Sequence, residues 1–199
     1  SVYTVVHYRK SFADTERHWG RGDIEALASR RIIAGVTEDR FEPDRRITRA
    51  EFAALIVRAL GLPLKQPGDT FADVPANVWF ADEVQTAYAA GIVNGRSATT
   101  FDPNATITRQ EMAAMIGKAA AFVGEDVTGT GGAGGDPLAM FRDAANIADY
   151  AKPYVRYAVT HGIVNGKTPD TFAPEQPATR AEAAAMLHRF LKAIAFVPY

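Results

Sequence analysis

The sequence predicts an all-α fold: three helix–loop–helix repeats arranged with approximate threefold symmetry around a central helical bundle. Three observations lead there. The phrase Thr-Arg-x-Glu occurs as Thr48-Arg49-Ala50-Glu51, Thr108-Arg109-Gln110-Glu111 and Thr179-Arg180-Ala181-Glu182. Each copy is preceded by the same markers in the same order, the signature of one unit used three times. Each copy also carries two segments whose apolar residues recur every three or four positions, the helical period.

The copies open at Phe12-Ala13-Asp14, Phe71-Ala72-Asp73 and Phe141-Arg142-Asp143, followed by an aromatic at one aligned position, Trp19, Trp79 and Tyr150. First helices are expected over about Asp23 to Arg31, Asp82 to Ala90 and Lys152 to His161. Their inward faces would be Ile24-Leu27-Ala28, Val84-Ala87-Tyr88 and Val155-Ala158-Val159. They end at Ile32-Ile33-Ala34-Gly35, Ile92-Val93-Asn94-Gly95 and Ile163-Val164-Asn165-Gly166, where the glycines fit turns requiring positive φ. The Phe-x-Pro phrases at Phe41, Phe101 and Phe172 anchor a loop stiffened by proline.

Each second helix begins at the Thr, with the Glu three residues on completing a capping box. One apolar stripe runs along each: Phe52-Leu55-Ile56-Ala59, Met112-Met115-Ile116-Ala119 and Ala183-Met186-Leu187-Phe190. A repeat of about 60 residues is marginal alone, so the three stripes are expected to meet in a shared bundle. The expected divisions are residues 1–65, 66–126 and 137–199 for the repeats, with a Gly-rich insert at 127–136. The insert accounts for most of the difference between the 60-residue spacing from Arg49 to Arg109 and the 71-residue spacing from Arg109 to Arg180.

Composition narrows the function. A net charge of −1 gives no global field toward nucleic acid or an acidic membrane. The chain has no Cys, hence no disulfide or thiolate metal site, and no apolar stretch of transmembrane length. His7, His18, His161 and His188 share neither a repeat position nor a metal spacing, so no metal or cofactor is expected. The run Gly129-Thr130-Gly131-Gly132-Ala133-Gly134-Gly135 lacks the Lys-Ser/Thr of a phosphate loop and reads as a linker. No catalytic constellation emerges, and no enzyme activity is expected of these residues.

The Arg at the first helical position needs a reason, because a cation there opposes the helix macrodipole. Arg49, Arg109 and Arg180 are suited either to hold a carboxylate or phosphate beside free helix N–H groups, or to pair with a nearby Asp. Trp19, Trp79 and Tyr150 are suited to stack on a sugar or to anchor between helices. Gly35, Gly95 and Gly166 either let backbone approach a ligand or simply make turns. Asp14, Asp73 and Asp143 read as caps or Arg partners.

The ordered set of Phe-x-Asp, aromatic, Gly-containing turn, Phe-x-Pro and Ile-Thr-Arg-x-Glu, in triplicate from about Phe12 to Leu191, resembles the surface-layer homology (SLH) family. The resemblance implies a non-catalytic anchor outside the cell, in the Gram-positive cell wall or S-layer. It implies a pseudo-trimer whose inter-repeat grooves bind a secondary cell-wall polymer linked to peptidoglycan. The polymer's N-acetylmannosamine bears a pyruvate ketal, met by the Arg of Thr-Arg-x-Glu, here Arg49, Arg109 and Arg180. A chain ending at Tyr199 without a passenger domain is expected to be one part of a larger surface protein.

Two alternatives stay open: a peptidoglycan-binding SLH module of an outer-membrane protein, and a structural assembly module that packs against protein. The copies also differ. Repeat 1 has Arg31 and Ala34 where the others have Gly and Asn, and repeat 3 has Tyr150 for Trp and Pro177-Ala178 before its Thr. Unequal grooves are expected, with Arg49 and Arg109 the stronger and Arg180 the weaker. On this reading Arg109→Ala weakens glycan binding with little loss of thermal stability.

Overall fold

A computed structural model describes residues 8–129 and 135–196. Among them are six α-helices, two per repeat: α1 (Arg21–Ser29) and α2 (Arg49–Ala59), α3 (Ala81–Ala89) and α4 (Arg109–Phe122), α5 (Lys152–Thr160) and α6 (Arg180–Ala193). Short 3₁₀ turns complete the secondary structure, and the described residues contain isolated β-bridges but no strands. No described helix is long and apolar enough to cross a membrane. Residues 130–134 of the Gly-rich insert lie outside the described residues.

The second helices start as their sequences require. Thr48, Thr108 and Thr179 are extended N-caps whose Oγ1 accepts from the backbone N–H of Glu51, Glu111 and Glu182. Each Glu Oε2 in turn accepts from its Thr N–H at 2.9 Å, closing three capping boxes.

Helices α2, α4 and α6 contact one another at the centre, and each also takes the first helix of the following repeat: α3 on α2, α5 on α4, α1 on α6. The last pairing joins repeat 3 back to repeat 1 and closes the ring. This double contact corrects the expectation of a single apolar stripe. Ala53, Ala54 and Val57 on α2, Ala113, Ala114 and Ala120 on α4, and Ala184, Ala185 and Leu191 on α6 are buried as well. A helix packed inward and outward at once is buried nearly all round, and Ala permits the close approach. Three expected inward residues differ: Tyr88 is exposed, and Leu55 and Val159 are only half-buried.

The axis is held by backbone. The N–H of Ile47 donates to Ala178 O (3.1 Å), that of Ala178 to Ile107 O (2.9 Å) and that of Ile107 to Ile47 O (3.1 Å), a closed three-membered cycle. All three side chains are fully buried. The substitution of Ala178 for Ile therefore leaves the cycle intact, since the cycle uses only main-chain atoms.

Asp14, Asp73 and Asp143 are neither helix caps nor Arg partners. Each carboxylate accepts the two backbone N–H groups of the Phe-x segment: Asp14 from Phe41 and Glu42, Asp73 from Phe101 and Asp102, Asp143 from Phe172 and Ala173. The middle residues Glu42, Asp102 and Ala173 have φ near +60°, and the carboxylate holds that left-handed turn in place. Burial raises the Asp14 pKa, but these N–H bonds outweigh it and the net shift is downward.

Where α1 ends, Arg31 has φ 59°, while Gly91 and Gly162 take the same conformation after α3 and α5. A residue with a Cβ pays for that conformation with strain of about 1 kcal/mol. Arg31→Gly is expected to raise stability by about 1 kcal/mol at most, read as a higher urea midpoint with unchanged slope; an unchanged or lower midpoint would contradict the strain.

Candidate functional site: three inter-repeat grooves

The first-position arginines reach across to the following repeat. Arg49 Nε donates to Phe101 O (3.1 Å) and Nη2 to Asn94 O (3.1 Å), while Nη1 lies 3.4 Å from Glu111 Oε1. Arg109 repeats the pattern on Phe172 O (2.9 Å), Asn165 O (2.7 Å) and Glu182 Oε1 (3.1 Å). Arg180 donates to Phe41 O (2.9 Å) and Ala34 O (3.0 Å). Each guanidinium also lies over the Phe ring of the loop it binds, at 4.9, 5.2 and 4.4 Å from the centroid. Repeat-to-repeat bonding is the reason for an Arg at a position where the macrodipole disfavours one.

The helix N–H groups beside them are not free. The N–H of Arg49 and Ala50 donate to Ala105 O and Pro103 O of the next repeat. Those of Arg109 and Gln110 donate to Gln176 O and Pro174 O, and those of Arg180 and Ala181 to Arg45 O and Pro43 O. With the third N–H taken by the Thr hydroxyl, the helix termini offer no ready donors for an anion. Side chains must supply any anion contact here.

Those side chains converge in three equivalent grooves with cavity volumes of about 290, 360 and 280 Å³. The first holds Arg49, Gly95, Arg96, Glu111, Lys118 and Tyr150. The second holds Arg109, Gly166, Lys167, Glu182, Arg189 and Trp19. The third holds Arg180, Gly35, Arg45, Glu51, Arg58 and Trp79. Each groove thus takes its Arg from one repeat, its turn and helix from the next, and its aromatic from the third. All nine residues singled out from the sequence line these grooves.

The aromatics do not anchor between helices. Trp19, Trp79 and Tyr150 are 61%, 58% and 55% exposed, at the groove lips. Tyr150 has its pKa raised, chiefly by burial of its phenol and then by Glu111 and Glu175, so it remains a neutral donor at physiological pH.

The glycines have a different cause from the one expected. None of Gly35, Gly95 and Gly166 has positive φ. They are required because a Cβ would strike the Phe ring beneath and the carbonyls of the same turn: at Gly95, Phe71 Cε1 at 2.6 Å and Thr100 O at 2.7 Å. The turns carry the Asn94, Asn165 and Ala34 carbonyls that receive the arginines.

Two sets of groove residues were not singled out from the sequence. One is the cation on the free oxygen of each capping-box Glu: Arg96 on Glu111 (2.7 Å), Lys167 on Glu182 (2.6 Å) and Arg45 on Glu51 (2.6 Å). Arg96 and Lys167 follow the turn glycine, but Val36 stands there in repeat 1, and Arg45 fills the place from a different loop. The other is the basic position nine residues after each Arg: Arg58, Lys118 and Arg189. Its recurrence is visible by aligning the second helices, but only the packing shows that it faces a groove.

The electrostatics are those of desolvated cations beside a carboxylate. Burial lowers the pKa of Arg49 and Arg109, opposed by Glu111 and Glu182, and all three guanidinia stay charged. Burial lowers that of Lys118, and Arg49 adds to it. Burial raises that of Glu182, but Lys167, the Thr179 N–H and Arg109 outweigh it, so the net shift is downward. The Asn94 amide, with its nitrogen donating to Val93 O, has its oxygen 3.1 Å from Lys118 Nζ. In the third groove Arg180 lacks the Glu contact of its two counterparts, and Glu51 pairs with Arg45.

The chain matches the model of the S-layer homology domain three times, at residues 11–53, 70–113 and 141–184. It is 38% identical over 192 residues to an amylopullulanase of Thermoanaerobacterium thermosulfurigenes, covering 96% of this chain and 10% of that protein. It is 33% identical over 181 residues to the surface-layer 125 kDa protein of Lysinibacillus sphaericus, covering 88% and 14%. A cellulosome-anchoring protein of Acetivibrio thermocellus is 29% identical over 165 residues, 81% of this chain and 35% of that protein. The chain therefore spans a small part of each relative, and the match lies in the SLH part rather than in any catalytic part. Three matched repeats in a closed ring of six helices place the chain in the S-layer homology family, the non-catalytic modules that anchor S-layer and other cell-surface proteins in the cell wall.

Proposed function

We propose that this chain anchors a larger cell-surface protein by binding a pyruvylated secondary cell-wall polymer in its grooves. The observation that supports this reading is the composition of each groove: a positioned guanidinium, further cations on one wall and an exposed aromatic at the lip. A pyruvate ketal on N-acetylmannosamine presents a carboxylate, a methyl group and a sugar face. Charged side chains suit the first and an aromatic face the other two. Because the helix N–H groups are occupied, recognition rests on side chains: the remaining guanidinium protons of Arg49, Arg109 and Arg180, assisted by Arg96, Lys167 and Arg45.

Grooves of a few hundred Å³ accommodate one or two sugar residues each, so single-site affinity is modest and several grooves on one polymer gain by effective concentration. Calorimetric titration with polymer fragments tests the reading. Binding is expected with the ketal present and lost when it is hydrolysed; equal binding to both forms would remove the carboxylate from the recognition, and binding to neither would favour a structural assembly role.

A further inference from the structure

We propose that Arg58, Lys118 and Arg189 are the second cation position for an acidic ligand, and that Glu83 silences it in one groove, leaving two strong sites and one weak one. The inference rests on the reading that the grooves take acidic sugars, and it adds which grooves do so and why.

The three positions are equivalent on α2, α4 and α6 and line the three grooves. What faces them from the neighbouring first helix is not equivalent. Opposite Arg58 stands Glu83 of α3, whose Oε1 accepts from Arg58 Nη2 at 2.5 Å and from Nε at 3.2 Å. The Glu83 side chain is 8% exposed, so the guanidinium is bound by a carboxylate that has few other partners in water. The aligned residue on α5 is Tyr154, which is neutral and packs against Gly117. The aligned residue on α1 is Asp23, one methylene shorter, and its carboxylate is held by His188 Nδ1 at 2.7 Å. Among the described residues, neither Lys118 nor Arg189 forms an ion pair with any carboxylate.

The charge in the grooves differs accordingly. In the first, Arg49, Arg96 and Lys118 face Glu111, and Arg96 also pairs with Asp102, but Lys118 has no carboxylate of its own. Arg109, Lys167 and Arg189 face Glu182 alone in the second. In the third, Arg45 pairs with Glu42 and Glu51, and Arg58 is itself taken by Glu83. A carboxylate entering the third groove meets an Arg58 whose charge Glu83 already balances, and taking over that pairing would leave Glu83 desolvated and unpaired. The same carboxylate in the first or second groove meets a cation with no such competitor.

The test is calorimetry on the whole chain with a single pyruvate-ketal N-acetylmannosamine as probe, so that avidity plays no part. Wild type is expected to show two sites and a third at least tenfold weaker. Glu83→Gln, which keeps the side-chain shape and removes the charge, is expected to tighten the third about tenfold. Lys118→Gln, on a half-buried helix surface and independent of the Glu83 variant's folding, is expected to lose one of the two strong sites. Three equal sites in wild type, an unchanged third site in a folded Glu83→Gln, or two strong sites retained in Lys118→Gln would each overturn the inference while leaving the anchoring function standing. No binding by wild type would overturn the anchoring reading and this inference together.

Discussion

Arg109→Ala is expected to lower stability by about 3–5 kcal/mol, not the small loss that the sequence reading predicts, because the side chain is built into the ring rather than free in a groove. The residue is 4% exposed, and its side chain ties repeat 2 to repeat 3 through the Phe172 and Asn165 carbonyls and Glu182. Removing it leaves two buried carbonyls without their donor, while Glu182 keeps Lys167 and the Thr179 N–H. For a chain of this size a loss of that order is about 10 °C in Tm. A thermal melt compared with wild type checks it, and a change under 2 °C would show that the guanidinium is dispensable to the ring. The consequence for binding studies is direct: loss of affinity in this variant is informative only at temperatures where its fold is intact. Arg109→Lys, which keeps charge but not the fork, is expected to fall between the two.

Gly95→Ala is expected to cost at least about 3 kcal/mol, more than most surface-turn substitutions. The new Cβ would lie 2.6 Å from Phe71 Cε1 and 2.7 Å from Thr100 O. Phe71 is buried against Phe101, at 5.4 Å between ring centroids, and Thr100 O accepts the Arg96 N–H at 2.8 Å, so neither yields without moving the turn. Moving the turn displaces Asn94 O, which receives Arg49, so the adjoining groove should weaken together with the fold. Chemical denaturation and a titration of the same variant check both. A stable protein with unchanged affinity would mean that the turn adapts. Gly91→Ala is the natural contrast: its Cβ meets nothing within 4 Å, and only its φ of 71° resists, so the smaller cost of about 1 kcal/mol applies.

These two cases show why part of the site was legible before the fold was known. Repetition marked Arg49, Arg109 and Arg180, the aromatics and the glycines as special, because chemistry that recurs at fixed spacing needs a common cause. It did not distinguish causes. The glycines were read as positive-φ turns, whereas they yield space to a Phe ring. The Phe-x-Asp carboxylates were read as caps or Arg partners, whereas they secure a strained loop. The helix N–H groups were read as open to an anion, whereas loop carbonyls from the next repeat occupy them. Each correction involves atoms far apart in sequence, such as Asp14 with Phe41 or Arg49 with Asn94.

The sequence by itself determined the helices, their capping boxes, the threefold repetition and the need for a shared core, since these follow from local periodicity and side-chain chemistry within a few residues. Tertiary structure alone decided that each second helix serves the following repeat, so that every groove is assembled from all three. It also decided which cations are spent on holding the ring and which remain for a ligand. Arg58 and Lys118 occupy the same position in their repeats, and only the neighbour that packing brings opposite them, Glu83 in one case and Tyr154 in the other, makes one paired and the other open. Charge balance is set by distances across the fold, and those distances are not written in the spacing of residues along the chain.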